Sequence, residues 1–514
     1  MQIKPLFIGN RSATFQLGEE GLYELPQPLV LTLNGVSLPE PARTVVTGLY
    51  DLSPDTEYTL CAEGAEPVTF RTEAEPCTLD VRSFGAVGDG VHEDTAAIQT
   101  AILACPKHGR VLIPEGTWRV LPLFLKSGLR LELAKGAVLQ LETDRSRFPI
   151  LPGMIHGTTP EQDLPLGTWE GDPMDSYAGM LTGLGVEDCV IYGEGTVDGN
   201  AQNSDWWVNA KTRRGAWRGN LLFLHHCKGV TVQGLRFRNS PSWNLHPYFS
   251  EDLKLLNLSI WAPDNSPNTD GFDPESCTHV LAAGIHFSVG DDCIAIKSGK
   301  LYMGSRYKVP CSDVEIAHCL MERGHGGVTI GSEMAGGVND VRIHDCLMRN
   351  TDRGLRIKTR RGRGKDGIVR DVVFDHLRME HVRVPFVANG MYFCDPDGHD
   401  EYVQTLVPQP VDERTPYIGR LAFHNIVATE ATCAAYFLGI PEQPIECVEM
   451  DNVDVTMDPQ ATPFQPAMSD CVEPLAGRGV ILRFVKQADL RGLTLHGCPG
   501  APVECEGVEK VVTE

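Results

Sequence analysis

From about residue 110 onward the chain repeats one short theme. Runs such as "GVTVQGLRF", "DLKLLNLSI", "HVLAAGIHF", "DVEIAHCLM" and "DVRIHDCLM" each join a V/I/L strand, a polar turn and a second short strand. They return at intervals of roughly 23–35 residues, the range in which stacked repeats occur. Propeller blades need about 40–45 residues and four strands each, and leucine-rich repeats need a fixed leucine frame that these runs lack. A right-handed parallel β-helix fits. Each coil contributes a few short strands, coils stack in register, and surplus residues leave at the turns. Strands buried on their inner side account for the β-branched residues and the internal Cys and Ser.

Two segments precede the repeats. "DVRSFGAVGDGVHEDTAAIQTAILAC" carries a predicted helix capped by Asp94, with Ala97, Ile98, Ala101, Ile102 and Leu103 as its apolar face. It is the one convincing amphipathic helix in the sequence, and it can cover the open end of a stacked β-structure. Residues 1–75 read as a small all-β module with strand-like "PLVLTLNG", "ARTVVTGL" and "EYTLCAEG". "LYDLSPDTEYTL" resembles the tyrosine corner of a fibronectin type III sandwich, with Leu52 and Pro54 ahead of Tyr58. The expected division is therefore a fibronectin type III-like β-sandwich over 1–75, the linker "RTEAEP", and a β-helix over 78–514.

Bulk properties narrow the partners. A formal net charge of −23 argues against nucleic acid. No apolar run is long enough for a membrane span, and the first residues do not read as a secretory signal. The 16 Cys are scattered, without zinc-like spacing, and are expected to be reduced thiols in a cytoplasm. No cofactor or metal is expected.

Stacking turns sequence spacing into geometry, because matching positions on successive coils lie about 4.8 Å apart. Asp270 lies in "NTDGFDPESC", and the Asp291/Asp292 pair of "VGDDCIAIKSG" follows about one coil later. His325 in "RGHGGVTIGSE" comes one longer coil on, and Arg356 and Lys358 in "DRGLRIKTRRGRG" one more. In matching register these build one column of carboxylates, imidazole, guanidinium and ammonium. Arg356 and Lys358 alternate on a strand and so share a face.

Crowded carboxylates raise at least one pKa, which supplies a proton donor, and the others can hold a water. Carboxyl groups about 6.5–9.5 Å apart leave room for that water and predict glycoside hydrolysis with inversion. Arg and Lys alongside suit the carboxylate of an acidic sugar. The bland readings are turn acids, a structural histidine, and a solvated basic run through Arg360, Arg361, Arg363 and Lys365. His246 in "WNLHPYF" either lines the sugar site or packs beside Trp243.

"NTDGFDP", "GDDCIAIKSG", "GHGGVTIGSE" and "RIK", in that order, resemble the four signature segments of the polygalacturonases, glycoside hydrolase family 28. "FGAVGDGVHEDTAAIQTAI", "GEGTVDGNAQNSDWW" and "NSPSWNLHP" resemble further family segments. The resemblance implies Asp291 as general acid, Asp270 and Asp292 as joint holders of the attacking water, and His325 as a residue that tunes the acid. It also implies Arg356 and Lys358 as binders of substrate carboxylate, and Tyr392 as the family tyrosine. The substrate it implies is galacturonate oligosaccharide or pectin. Insertions at about 144–178, 200–219 and 394–416 are expected to wall one end of the cleft, which favours attack at a chain end. Trp206, Trp207, Trp217 and Trp243 are candidate sugar platforms. The alternatives are a rhamnogalacturonan or xylogalacturonan hydrolase of the same family, or a pectate lyase-type β-eliminase on the same scaffold.

Overall fold

A computed structural model describes residues 1–18, 21–159 and 162–513. From residue 78 the chain winds as a right-handed parallel β-helix, and its strands form three long parallel sheets. In the first sheet Val230, Leu253, Val280, Val314, Val341 and Val372 pair in succession. The intervals between them are 23, 27, 34, 27 and 31 residues, so each coil spends its surplus at the turns. These six side chains and their neighbours Val232, Leu255, Ile316, Ile343 and Phe374 fill one continuous interior. Each fully buried aliphatic chain of this kind contributes roughly 1.5–3 kcal/mol.

Asp188, Gly229, Asp252, His279, Asp313, Asp340 and Asp371 stand near the start of successive first-sheet strands, all with φ between 53° and 65°. A second such column, through Asn257, Gly284, His318, Asp345, His376 and Asn425, turns the chain from the first sheet into the second. Asp, Asn and His tolerate this left-handed conformation at modest cost, which explains the polar residues that punctuate every repeat.

Thr95–Ala104 forms the predicted helix and buries Ile98, Ala101 and Ile102 at the end of the interior. Two details differ from expectation. Leu103 points outward at 64% exposure. Asp94 makes no cap bond; its carboxylate instead accepts from the Val87 and Gly88 amides at 2.7 and 3.1 Å, closing the preceding loop. Two short helices not expected from the sequence, Leu301–Tyr307 and Glu401–Gln404, sit in turn insertions too brief to show an amphipathic period.

Residues 3–71 form small antiparallel sheets around their own core of Phe15, Leu31, Leu60 and Phe70. The Tyr58 hydroxyl accepts from the Ser53 amide at 2.8 Å. The core packs onto the outer face of the first sheet, where Val46 meets Leu256 and Ala283. Polar contacts close the seam. Thr14 Oγ1 donates to Gln233 Oε1 at 2.7 Å, and Lys254 Nζ to the Leu6 carbonyl at 3.2 Å.

Candidate active site

The site lies on the outer face of the third sheet. Phe272 bridges Ile294, Ile294 pairs with Val328, and Val328 with Leu355, all pointing into the core. Strand alternation then turns Asp273, Thr329 and Arg356 outward, with Lys297 and Lys358 two residues further along. The acids sit at the turn just before these strands. Gly271 N–H donates to the Asp292 carbonyl at 3.0 Å, and Cys293 N–H to the Gly326 carbonyl at 2.8 Å, so the Asp270, Asp292 and His325 segments stack on consecutive coils. Gly326 is required here: a Cβ would lie 2.4 Å from Thr329 Oγ1 and 2.8 Å from Asp292 Oδ1.

Stacking brings carboxylate oxygens of Asp270, Asp291 and Asp292 within 4.8 Å of one another. This is closer than the separation expected from the sequence, because adjacent coils are about 4.8 Å apart and two of the acids are neighbours in the chain. Among the described residues no other group of His, Cys, Asp and Glu comes close enough to share a cation.

Environment splits the acids. Asp292 is 1% exposed, with Arg356 Nη1 at 3.2 Å and Lys358 Nζ at 3.0 Å. Burial works against its charge, yet Lys358, Arg356 and His325 hold its pKa well below the usual carboxylate range. Asp270 is pushed far the other way by burial, reinforced by the charges of Asp291 and Asp273, and its Oδ1 has no hydrogen-bond partner. Asp291 is the most accessible of the three and accepts from or donates to His325 Nδ1 at 3.2 Å, according to the protonation of the pair. That bond raises the His325 pKa against the opposing effect of burial.

Seven of the eight residues singled out by sequence meet around one cavity of about 300 Å³: Asp270, Asp291, Asp292, His325, Arg356, Lys358 and Tyr392. His246 does not line it. It is 1% exposed and bonded through Nε2 to the buried Glu275 at 2.9 Å, beneath Trp243. Arg356 and Lys358 line the cavity and each also pairs with Asp292, which leaves the remaining N–H donors of both groups unassigned to it. The basic run is not a solvated face. Arg360, Arg361 and Arg363 are buried and pair with Asp395, Asp397 and Glu442; only Lys365 is exposed.

Sequence reasoning missed Lys297. Its ammonium lies 3.0 Å from Asp273 Oδ1, 3.7 Å from Glu333 Oε1 and 3.5 Å from the Trp243 ring centroid. Burial lifts Asp273 to about 7 despite this lysine, while Lys297, Lys358 and Lys300 outweigh burial and hold Glu333 at about 2. The alternation of "CIAIKSG" was the available signal, since buried Ile294 and Ile296 leave Lys297 pointing out. Trp243 closes a stack of parallel indoles, with Trp169 5.5 Å from it and Trp217 4.5 Å from Trp169. Trp206 is a core residue, 1% exposed.

The walls come from insertions: Glu170 from the first, Lys211 from the second, Cys394 and Asp395 from the third. Met468 adds a fourth wall from a segment that the sequence did not flag.

The sequence profile of glycosyl hydrolases family 28 matches residues 167–471, and that described as rhamnogalacturonase A/epimerase, pectate lyase-like, matches 78–131. A probable polygalacturonase of Vitis vinifera is 31% identical over 387 residues, 74% of each chain. An endo-polygalacturonase of Pectobacterium parmentieri is 29% identical over 58% of this chain and 72% of its own. An exo-poly-α-D-galacturonosidase of Dickeya chrysanthemi is 24% identical over 66% and 61%. In fold, the Yersinia enterocolitica family 28 exopolygalacturonase superposes with a TM-score of 0.74 over 99% of this chain and 98% of that one, at 19% identity. The chain belongs to glycosyl hydrolase family 28, the polygalacturonase family, and is a glycoside hydrolase.

Proposed function

We propose that the protein is an exo-acting, inverting hydrolase of α-1,4-galacturonide bonds in oligogalacturonates and pectin. The observation that carries the exo reading is enclosure. The three acids lie in a cavity of about 300 Å³ walled by Glu170, Lys211, Cys394 with Asp395, and Met468, from four separate insertions. A polymer cannot thread such a pocket, but its terminus can enter.

In the proposed reaction a water held between Asp270 and Asp292 attacks the anomeric carbon, and its proton passes to this carboxylate pair. The bond to the leaving oxygen breaks as Asp291, the acid most open to the cavity, delivers a proton to it. His325, bonded to Asp291, returns a proton to the acid for the next cycle. Inversion rests on Asp292 being locked by two cations, which makes it a poor nucleophile. A second assignment, with Asp270 as the acid, is supported by its raised pKa.

The residues before the helix have their own core, which supports reading 1–75 as a fibronectin type III-like module and 78–514 as the catalytic domain. All sixteen cysteines are unpaired, which supports a reducing compartment.

Products of homogalacturonan followed over time test the proposal. Short products of one fixed length from the first minutes are expected; an early ladder of mixed lengths would show internal cutting instead.

A further inference from the structure

Four cations line the catalytic cavity: Lys211, Lys297, Arg356 and Lys358. Arg356 and Lys358 pair with Asp292, and Lys297 with Asp273 and Glu333. Lys211 alone has no carboxylate within 4 Å among the described residues. It is also the residue that the cavity shares with a second hollow of about 700 Å³, lined by Gln202, Trp207, Asn209, Thr212 and Asn265 among others. Pro267 and Asn268, consecutive in sequence, line the two spaces on either side of that threshold.

The loop that carries Lys211 is braced. Asp205 pairs with Arg145 and with Arg214, the latter at 2.7 Å, and Arg214 also donates to the Asp205 and Val208 carbonyls. At the tip, Thr212 N–H donates to the Asn209 carbonyl at 2.9 Å, closing a turn with Lys211 in it. An exposed lysine at the tip of a braced loop, lining two neighbouring hollows, is placed to meet an anion that reaches across both.

We propose that Lys211 binds the carboxylate of a galacturonate unit beside the bond that is cut, and that the adjoining hollow holds the following part of the oligogalacturonate chain. The inference rests on the galacturonide-hydrolase reading.

The test is kcat/KM on di-, tri- and tetragalacturonate for the wild type, Lys211→Ala, Lys211→Arg and Thr212→Trp. In the wild type kcat/KM is expected to rise with chain length. Lys211→Ala should lose about tenfold, mainly in KM, with Lys211→Arg recovering most of it and added salt narrowing the gap. Thr212→Trp, which fills the hollow, should flatten the rise with length. Lys211→Ala matching the wild type within about twofold on every substrate, or a loss confined to kcat, would overturn the proposal. Failure of the underlying reading looks different, because the wild type itself would then leave all three oligomers intact.

Discussion

Asp270 and Asp292 show how differently two buried carboxylates of one site can be held. Asp292 has two cations against it, whereas Asp270 has like charges and an unsatisfied oxygen. Their amide variants should therefore diverge in stability. Asp292→Asn strands Arg356 and Lys358 and is expected to cost about 2–4 kcal/mol. Asp270→Asn relieves repulsion and should raise stability by about 1 kcal/mol. Both should lose about a thousandfold or more in turnover. Thermal and urea unfolding of the two variants check the opposite signs; a shared sign would mean that the described electrostatics are wrong. An activated aryl galacturonide separates the acid from the base, since only the acid's variant should regain turnover on a leaving group that needs no proton. At this scale the sequence was informative about which residues converge, because motif order and strand alternation are local. It was silent about who pairs with whom. Nothing in "RIK" says that both cations pair with Asp292, and nothing in "WNLHPYF" says that His246 turns under Trp243 to meet Glu275.

Elements of this fold are repeated turns as much as strands, and the turn columns carry their own chemistry. His344, at the end of a first-sheet strand, bonds Asp345 through Nδ1 at 2.6 Å and Glu315 through Nε2 at 3.1 Å. Burial opposes its charge, but these two carboxylates raise its pKa to about 9. A folded-state pKa above the unfolded value means stability that is fully present below about pH 6.5 and lost as pH rises through about 9. Wild type should therefore exceed His344→Gln in unfolding free energy by about 1 kcal/mol at about pH 6, the half-exposed Glu315 limiting the gain through solvent screening, and the gap should close by about pH 9.5. Urea unfolding at the two pH values decides it; a gap that widens with pH would refute the pairing. The strands were legible because β-branched runs recur at a repeat interval. The helices at Leu301–Tyr307 and Glu401–Gln404 were not, since one or two turns cannot display a period.

At the scale of the whole molecule, a stacked solenoid lends its side wall to insertions, and four of them convert an open sheet face into a pocket. The β-helix was readable from repeat spacing and three of the walls from breaks in that spacing, but the wall carrying Met468 lies where the coils lengthen near the C-terminus and the period gives no warning. The docking of residues 3–71 onto the first sheet was equally hidden, because it rests on a few contacts such as Val46 with Leu256 and Ala283. The proposed reaction makes three crowded carboxylates share one water, with no bond formed between sugar and protein. Proton NMR of the first sugar released from an α-galacturonide reads this directly. Single displacement by water gives the β-anomer first, with the α-anomer growing in only by mutarotation; the α-anomer as the first product would mean a covalent intermediate and a different role for Asp292.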